Sequence, residues 1–286
     1  MIEIKLLTGV NIKTIHNCFR RAFSDYVEPF DLTFPQLKYM IERRGYNEDI
    51  SFGAFDDGKL IGFTLNGKGI WDSLPTAYDT GTGIIKEYRK KGLATKIFNE
   101  SLPVLRDNGV KQYLLEVIKS NTKAFDLYKK AGFSVVREFD YFVSKISDIK
   151  LTQSVLPNSY SFQNDIKPDW ELLRSFWNFV PSWQNSIESI QRKESNFKII
   201  GISFKKNIIG YGIVEPETGD IPQFCIEKSH RNRKLATLLF SELLKYSKNK
   251  EIKVLNTIVE YKPIKKFMKS LNISPGLGQY EMILSL

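Results

Sequence analysis

Apolar and polar positions first follow a strand-like pattern over Glu3 to Leu7, then recur every three to four residues over Ile12 to Phe23 and Phe34 to Arg44. That switch predicts a strand and two helices. Two apolar runs follow, Ile50 to Phe55 and Leu60 to Asn66, joined by Asp56-Asp57-Gly58-Lys59. Asp-Gly tolerates positive φ, so the pair reads as a hairpin. A β-rich run from Ala77 to Ile85 leads through a basic turn into an amphipathic helix that starts near Gly92 and carries Pro103, where a kink or an early stop is expected. Gln112 to Ile118 reads as a buried strand. Ala124, Leu127, Tyr128 and Ala131 then recur at helical spacing, Gly132 is placed to stop that helix, and a further strand starts at Phe133.

From Ser144 to Tyr160 the periodicity is lost and Ser, Pro and Asn gather, as in a connection between domains. Beyond it the order of elements repeats. Phe197 to Ile202 and Ile208 to Val214 form a second hairpin around Lys205-Lys206-Asn207, with Ile208-Ile209-Gly210-Tyr211 where the first has Leu60-Ile61-Gly62-Phe63. A strand at Phe224 to Ile226 enters Arg231-Asn232-Arg233-Lys234-Leu235-Ala236-Thr237, which matches Arg89-Lys90-Lys91-Gly92-Leu93-Ala94-Thr95 at four of seven positions. Leu235, Leu238, Leu239, Leu243 and Leu244 continue as an amphipathic helix, and Ile264 to Ile273 echoes Ala124 to Phe133. The chain reads as an internal duplication with domains at 1–148 and 149–286. The halves differ chemically: Lys234 replaces Gly92, Asn256 falls opposite Glu116, Tyr261 opposite Asn121, Met268 opposite Tyr128 and Asn272 opposite Gly132.

Composition narrows the classes. At 286 residues and 42% hydrophobic content the chain can bury about two cores. It contains no apolar run of about 18 residues, so no membrane span is expected. Met1-Ile2-Glu3-Ile4-Lys5 reads as a strand and not as a signal peptide. Cys18 and Cys225 lie in different halves, and with His16 and His230 they make no metal-ligand spacing. A reduced, cytoplasmic location without a metal is the expectation. The net charge of +10 comes from scattered lysines. With no recognition helix, zinc finger or aromatic-interleaved basic patch, nucleic acid is not the expected partner. A polyanionic cofactor needs only a local cluster.

Lys86 to Thr95 supplies that cluster. A strand, a turn holding Arg-x-x-Gly-x-Ala and a helix start make a cradle for phosphate, because backbone N–H groups converge there and the helix N-terminus adds unpaired donors. Arg89, Lys90 and Lys91 add charge, and Gly92 removes a Cβ from the ligand's path. Together with Leu-Glu-Val and then Asn121-x-x-Ala-x-x-Leu-Tyr-x-x-x-Gly-Phe133, this turn resembles the GCN5-related N-acetyltransferase (GNAT) superfamily over residues 1 to about 148.

The resemblance implies an α/β (α+β) fold, two tandem GNAT folds, each a mixed, mostly antiparallel twisted sheet flanked by helices. It implies an N-terminal catalytic copy that binds acetyl-CoA and a degenerate C-terminal copy. Arg89, Lys90, Lys91, Gly92, Leu93, Ala94 and Thr95 would hold the pyrophosphate. Gly83, Ile84 and Ile85, on a strand that splays from its neighbour, would bond the pantetheine arm, as would Asn121, which equally suits a helix cap. Tyr128 would be the general acid for the leaving thiolate, and Glu116 the general base. Asp25, Glu28 and Asp31, beside Tyr26 and Phe30, suit either an amine-binding site or an ordinary solvated loop. The implied activity is transfer of acetyl from acetyl-CoA to a primary amine of a small molecule or peptide. The alternative is a non-catalytic acyl-CoA sensor or scaffold.

Overall fold

The computed structural model describes residues 1–25, 30–151 and 155–286 and divides into two compact units, Met1–Arg137 with Tyr280–Leu286, and Glu138–Gln279. The division precedes the aperiodic stretch expected to mark it at 148/149. The physical reason is that Ser134–Lys145 is one unbroken strand, so periodicity continues through the point where the chain passes from one unit to the other. The final strand belongs to the first unit. Of the aperiodic stretch, Thr152 to Ser154 lie outside the described residues.

The first unit contains β1 (Ile2–Leu6), α1 (Ile12–Ala22), α2 (Phe34–Arg43), β2 (Phe52–Asp56), β3 (Lys59–Trp71), β4 (Leu74–Ile84), α3 (Leu93–Asp107), β5 (Gln112–Ile118), α4 (Thr122–Lys130) and the start of β6 (Ser134–Lys145). Strands β1 to β5 lie side by side in chain order, antiparallel except for the parallel pair β4–β5, which the crossover helix α3 joins. The β2–β3 turn takes positive φ at Asp57 (47°) and Gly58 (77°), as Asp-Gly predicts. A second tight turn at Asp72 and Ser73, also with positive φ, makes β3 and β4 longer than the sequence pattern suggested. Helix α3 does not stop at Pro103 but runs to Asp107. Proline there removes one backbone donor, while Ile97, Ser101 and Leu105 stay buried on both sides of it and hold the turns in place.

The second unit continues with the rest of β6, then β7 (Tyr160–Gln163), α5 (Trp170–Ser175), α6 (Ile187–Gln191), β8 (Lys198–Phe204), β9 (Asn207–Glu215), β10 (Asp220–Ile226), α7 (Leu235–Leu244), β11 (Glu251–Ile258) and α8 (Lys262–Ser270). Its strand order is β6-β11-β10-β9-β8-β7, antiparallel except at β10–β11. Last comes β12 (Gln279–Ser285), which lies next to β5 in the first unit. Two apolar clusters fill the first unit, one under α1–α3 around Phe19, Phe63 and Ile97, the other around Tyr113, Phe133 and Met282. Among the described residues no helix is long and apolar enough to cross a membrane. Both units are thus mixed, mostly antiparallel sheets flanked by helices.

Candidate active site

Strands β4 and β5 pair only from Thr76↔Gln112 to Asp79↔Leu115, although β4 continues to Ile84 and β5 to Ile118. Past Asp79 they part, as the splay implied by the resemblance requires. A cavity of about 260 Å³ lies there, lined among others by Thr64, Asp79, Thr82, Thr95, Tyr113 and Tyr128. Asp79 and Thr82, three residues apart on one strand, should face opposite ways. They share the cavity because Asn66 pairs with Asp79 and Leu65 with Gly81, leaving Thr80 as the extra residue of a β-bulge.

Tyr128, one turn from the end of α4, donates its hydroxyl to Asp79 Oδ2 at 3.2 Å. Thr82 Oγ1 donates to the same oxygen at 2.8 Å and lies 3.0 Å from Thr64 Oγ1 on β3. The other carboxylate oxygen, Oδ1, is buried and has no hydrogen-bond partner among the described residues. Burial pushes the Asp79 carboxyl up from 3.8 to about 6, against the Thr82 and Tyr128 hydroxyls, the Gly81 backbone N–H and the Arg44 charge, which pull it down. The sequence reading did not single out Asp79. In Tyr78-Asp79-Thr80 an aspartate inside a β-rich run was the available signal, because a strand does not bury a carboxylate without a reason.

Glu116 does not join this group. Tyr113 and Leu115 face the cavity, so alternation turns Glu116 to the other side of the sheet. There it accepts a hydrogen bond from the Tyr78 hydroxyl at 3.0 Å. Asn121 is the N-cap of α4 and accepts from the Ala124 N–H at 3.2 Å, the capping option of its two readings.

In the basic turn, Lys90 (φ 61°) and Gly92 (φ 71°) are left-handed, and α3 starts at Leu93. The first helical backbone bond is Lys96 N–H to Gly92 O, so Leu93, Ala94 and Thr95 offer N–H groups without intrahelical acceptors. A Cβ built on Gly92 meets no protein atom within 4 Å, so what this position demands of the protein is the backbone conformation. Lys90 and Lys91 are exposed, Lys91 lying over the Tyr88 ring. Arg89 turns inward instead: its guanidinium donates to Ile84 O, Ala22 O and both oxygens of Asp25. It braces the turn against β4 and α1, so its charge is already paired with a carboxylate. Gly83 pairs with Phe63, and a Cβ there would press on Ala22 and Phe63 at 3.0 Å, so its smallness lets α1 sit on the sheet. Ile85 donates its N–H to Ile61 O. In the loop after α1, Asp25 pairs with Arg89 and Asp31 with Arg20, so each carboxylate already has a cationic partner. Tyr26 and Glu28 lie outside the described residues.

The second unit repeats the turn closely. Asn232 (φ 61°) and Lys234 (φ 60°) hold the conformations of Lys90 and Gly92, and Arg231 donates to Ile226 O, Phe176 O and Asn178 as Arg89 does to Ile84 O, Ala22 O and Asp25. A cavity of about 320 Å³ lies beside it. Tyr261 occupies the N-cap position of α8 as Asn121 does that of α4, though without a side-chain cap bond, which puts Met268 in the place of Tyr128. Gly62 pairs with Ile84 and Gly210 with Ile226, so stepping back along each strand sets Ile221 against Asp79. Ile221 and Met268 are both fully buried.

This chain is similar to known proteins. The profile of the acetyltransferase (GNAT) family matches residues 13–133. N-alpha-acetyltransferase 30 of Schizosaccharomyces pombe is 30% identical over 105 residues, 36% of this chain and 70% of that protein. The mycothiol acetyltransferase of Thermobifida fusca is 29% identical over 122 residues, 40% of this chain and only 38% of that protein. The solved structure of a tandem GNAT protein from the clavulanic acid biosynthesis pathway aligns over 100% of this chain and 98% of its own with a TM-score of 0.75 at 14% identity, a likeness of fold. From the profile over the first unit and the relative matched across most of its length, this chain belongs to the acetyltransferase (GNAT) family.

Proposed function

We propose that the first unit is an acetyl-CoA-dependent N-acetyltransferase that acetylates a primary amine of a small molecule or peptide. The observation that carries this reading is the cavity at the parting of β4 and β5, with the Tyr128 hydroxyl in its wall and the open N–H groups of Leu93, Ala94 and Thr95 at the neighbouring helix start. The residues fit coenzyme A: a left-handed glycine, free helix N–H groups and exposed Lys90 and Lys91 suit a pyrophosphate. The strand edge released by β5 suits an extended arm with amide groups. When bound, acetyl-CoA supplies an activated acyl group on a thiol that leaves readily.

Within this reading Tyr128 gives its proton to the departing sulfur, and the cavity limits water around the thioester. Arg89 keeps the turn in shape and does not itself bind phosphate. The second unit preserves the scaffold but holds Ile221 and Met268 where the first has Asp79 and Tyr128, so it does not transfer acetyl groups. The relative's name, N-alpha-acetyltransferase, supports an amine as the acceptor. The test is thiol release from acetyl-CoA against a panel of peptides, polyamines and amino sugars, with calorimetry of coenzyme A binding alongside. Thiol release with at least one amine is expected; absence of coenzyme A binding overturns the reading.

A further inference from the structure

We infer that Asp79 and Tyr128 are one proton-transfer unit, with Asp79 as the general base that takes the acceptor amine's proton and then restores the proton Tyr128 gives to sulfur. This rests on the acetyltransferase reading above. Three features of the site carry it. The Tyr128 hydroxyl donates to Asp79 Oδ2, so acid and carboxylate are in direct contact. Thr82 donates to the same oxygen and lies against Thr64, which holds the resting carboxylate with Oδ2 toward Tyr128. Oδ1 is left buried, without a hydrogen-bond partner among the described residues, on a residue that lines the cavity. A buried carboxylate oxygen without a partner is costly, and an N–H of a bound acceptor would satisfy it.

The balance closes. The amine nitrogen forms the C–N bond with its lone pair, and Asp79 Oδ1 takes the proton it sheds. The C–S bond breaks with its electron pair going to sulfur, which receives the Tyr128 proton. This leaves a carboxylic acid 3.2 Å from a phenolate. The carboxyl turns about Cβ–Cγ and passes its proton to the phenolate across that contact. Amine and thioester become amide and thiol, and both residues end as they began.

The surroundings set the base for neutral pH. Facing Asp79 are Tyr128 from α4, Thr82 from its own strand, Thr64 from β3, Tyr113 from β5 and, after α2, Arg44, whose guanidinium donates to Thr80 O at 3.2 Å. Lys130 lines the same cavity. Burial outweighs these and raises the carboxyl to about 6, so it is a carboxylate at pH 7 and a stronger base than an ordinary aspartate.

The experiment is a double-mutant cycle on the full chain with Asp79→Asn, Tyr128→Phe and the pair. It reads kcat/KM for acetyl transfer against pH, coenzyme A affinity by calorimetry, and the infrared carboxyl stretch during titration. Each single variant should lose about 10²–10⁴-fold in kcat/KM, the usual worth of a general acid or base. The double variant should lose no more than the worse single, as groups acting together do. Coenzyme A affinity should stay within a few-fold. The acidic limb near pH 6 should vanish in Asp79→Asn. A buried carboxyl signal with its midpoint near 6 should be absent in Asp79→Asn and move upward in Tyr128→Phe, which removes a donor to the carboxylate. Multiplicative losses, an active Asp79→Asn, or an unmoved infrared midpoint each overturn the unit. A wild-type chain that binds no coenzyme A while the infrared midpoint still moves would overturn the acetyltransferase reading and leave the Asp79–Tyr128 contact standing.

Discussion

Replacing Asp79 by Asn should stabilise the first unit in a way that grows with pH. Below about 3.8 the aspartate is neutral in both native and unfolded chains, and above about 6 it is charged in both. Between those values the native state holds a proton that the unfolded state has lost, so native stability falls as pH rises. A carboxyl moved from 3.8 to about 6 costs the native state about 3 kcal/mol once fully ionised, at about 1.4 kcal/mol per tenfold. Asparagine cannot ionise and escapes this cost. It still accepts from Tyr128 and Thr82, and any misfit of its NH₂ adds an offset that does not vary with pH. The variant's advantage should therefore rise by about 2.4 kcal/mol between pH 4 and pH 8, most of it before pH 6.5, the remainder lying below pH 4 where the unfolded aspartate starts to ionise. Amide exchange of peptides from β4 and β5, read at several pH values, isolates the first unit from the second. A wild-type-to-variant difference that is flat across this range would mean that Asp79 titrates as an ordinary surface carboxylate, and the account of the site built on its burial would fail.

Other expectations are as direct. Gly92→Glu should weaken coenzyme A binding at least tenfold by calorimetry, because it puts a side chain at φ 71°, at about 1–2 kcal/mol, and adds negative charge beside the phosphate cradle. Lys234→Gly should leave acetyl transfer within about twofold and raise the second unit's stability by up to about 1 kcal/mol, since glycine relieves the left-handed backbone there. Retained coenzyme A affinity in the first variant, or lost turnover in the second, would show that the turns are assigned wrongly. Glu281→Leu should destabilise the first unit by about 3–5 kcal/mol in amide exchange, because Arg137, bonded through two 2.6 Å contacts to a carboxylate only 1% exposed, would be left without that partner.

Much of this protein is written in its sequence. Period-two and period-3.6 patterning gave the strands and helices around the site, Asp57-Gly58 gave its hairpin, and Gly92 marked a left-handed turn before a helix. The repeated Arg-x-x-x-Leu-Ala-Thr revealed the duplication, and the spacing from Asn121 put Tyr128 on the helix that lines the cavity. These are local facts, set by side-chain alternation and by backbone angles over a few residues. The tertiary structure decided what depends on faces and on distant partners. The bulge at Thr80, invisible in composition, turned Asp79 and Thr82 to the same side and brought a carboxylate to Tyr128. Strand parity took Glu116 to the other face. Arg89 met the Asp25 carboxylate and the carbonyls of Ala22 and Ile84, so a residue that reads as phosphate-binding became a brace. The C-terminal strand joined the first unit because pairing beside β5 is a matter of long-range hydrogen bonding, which no local pattern records.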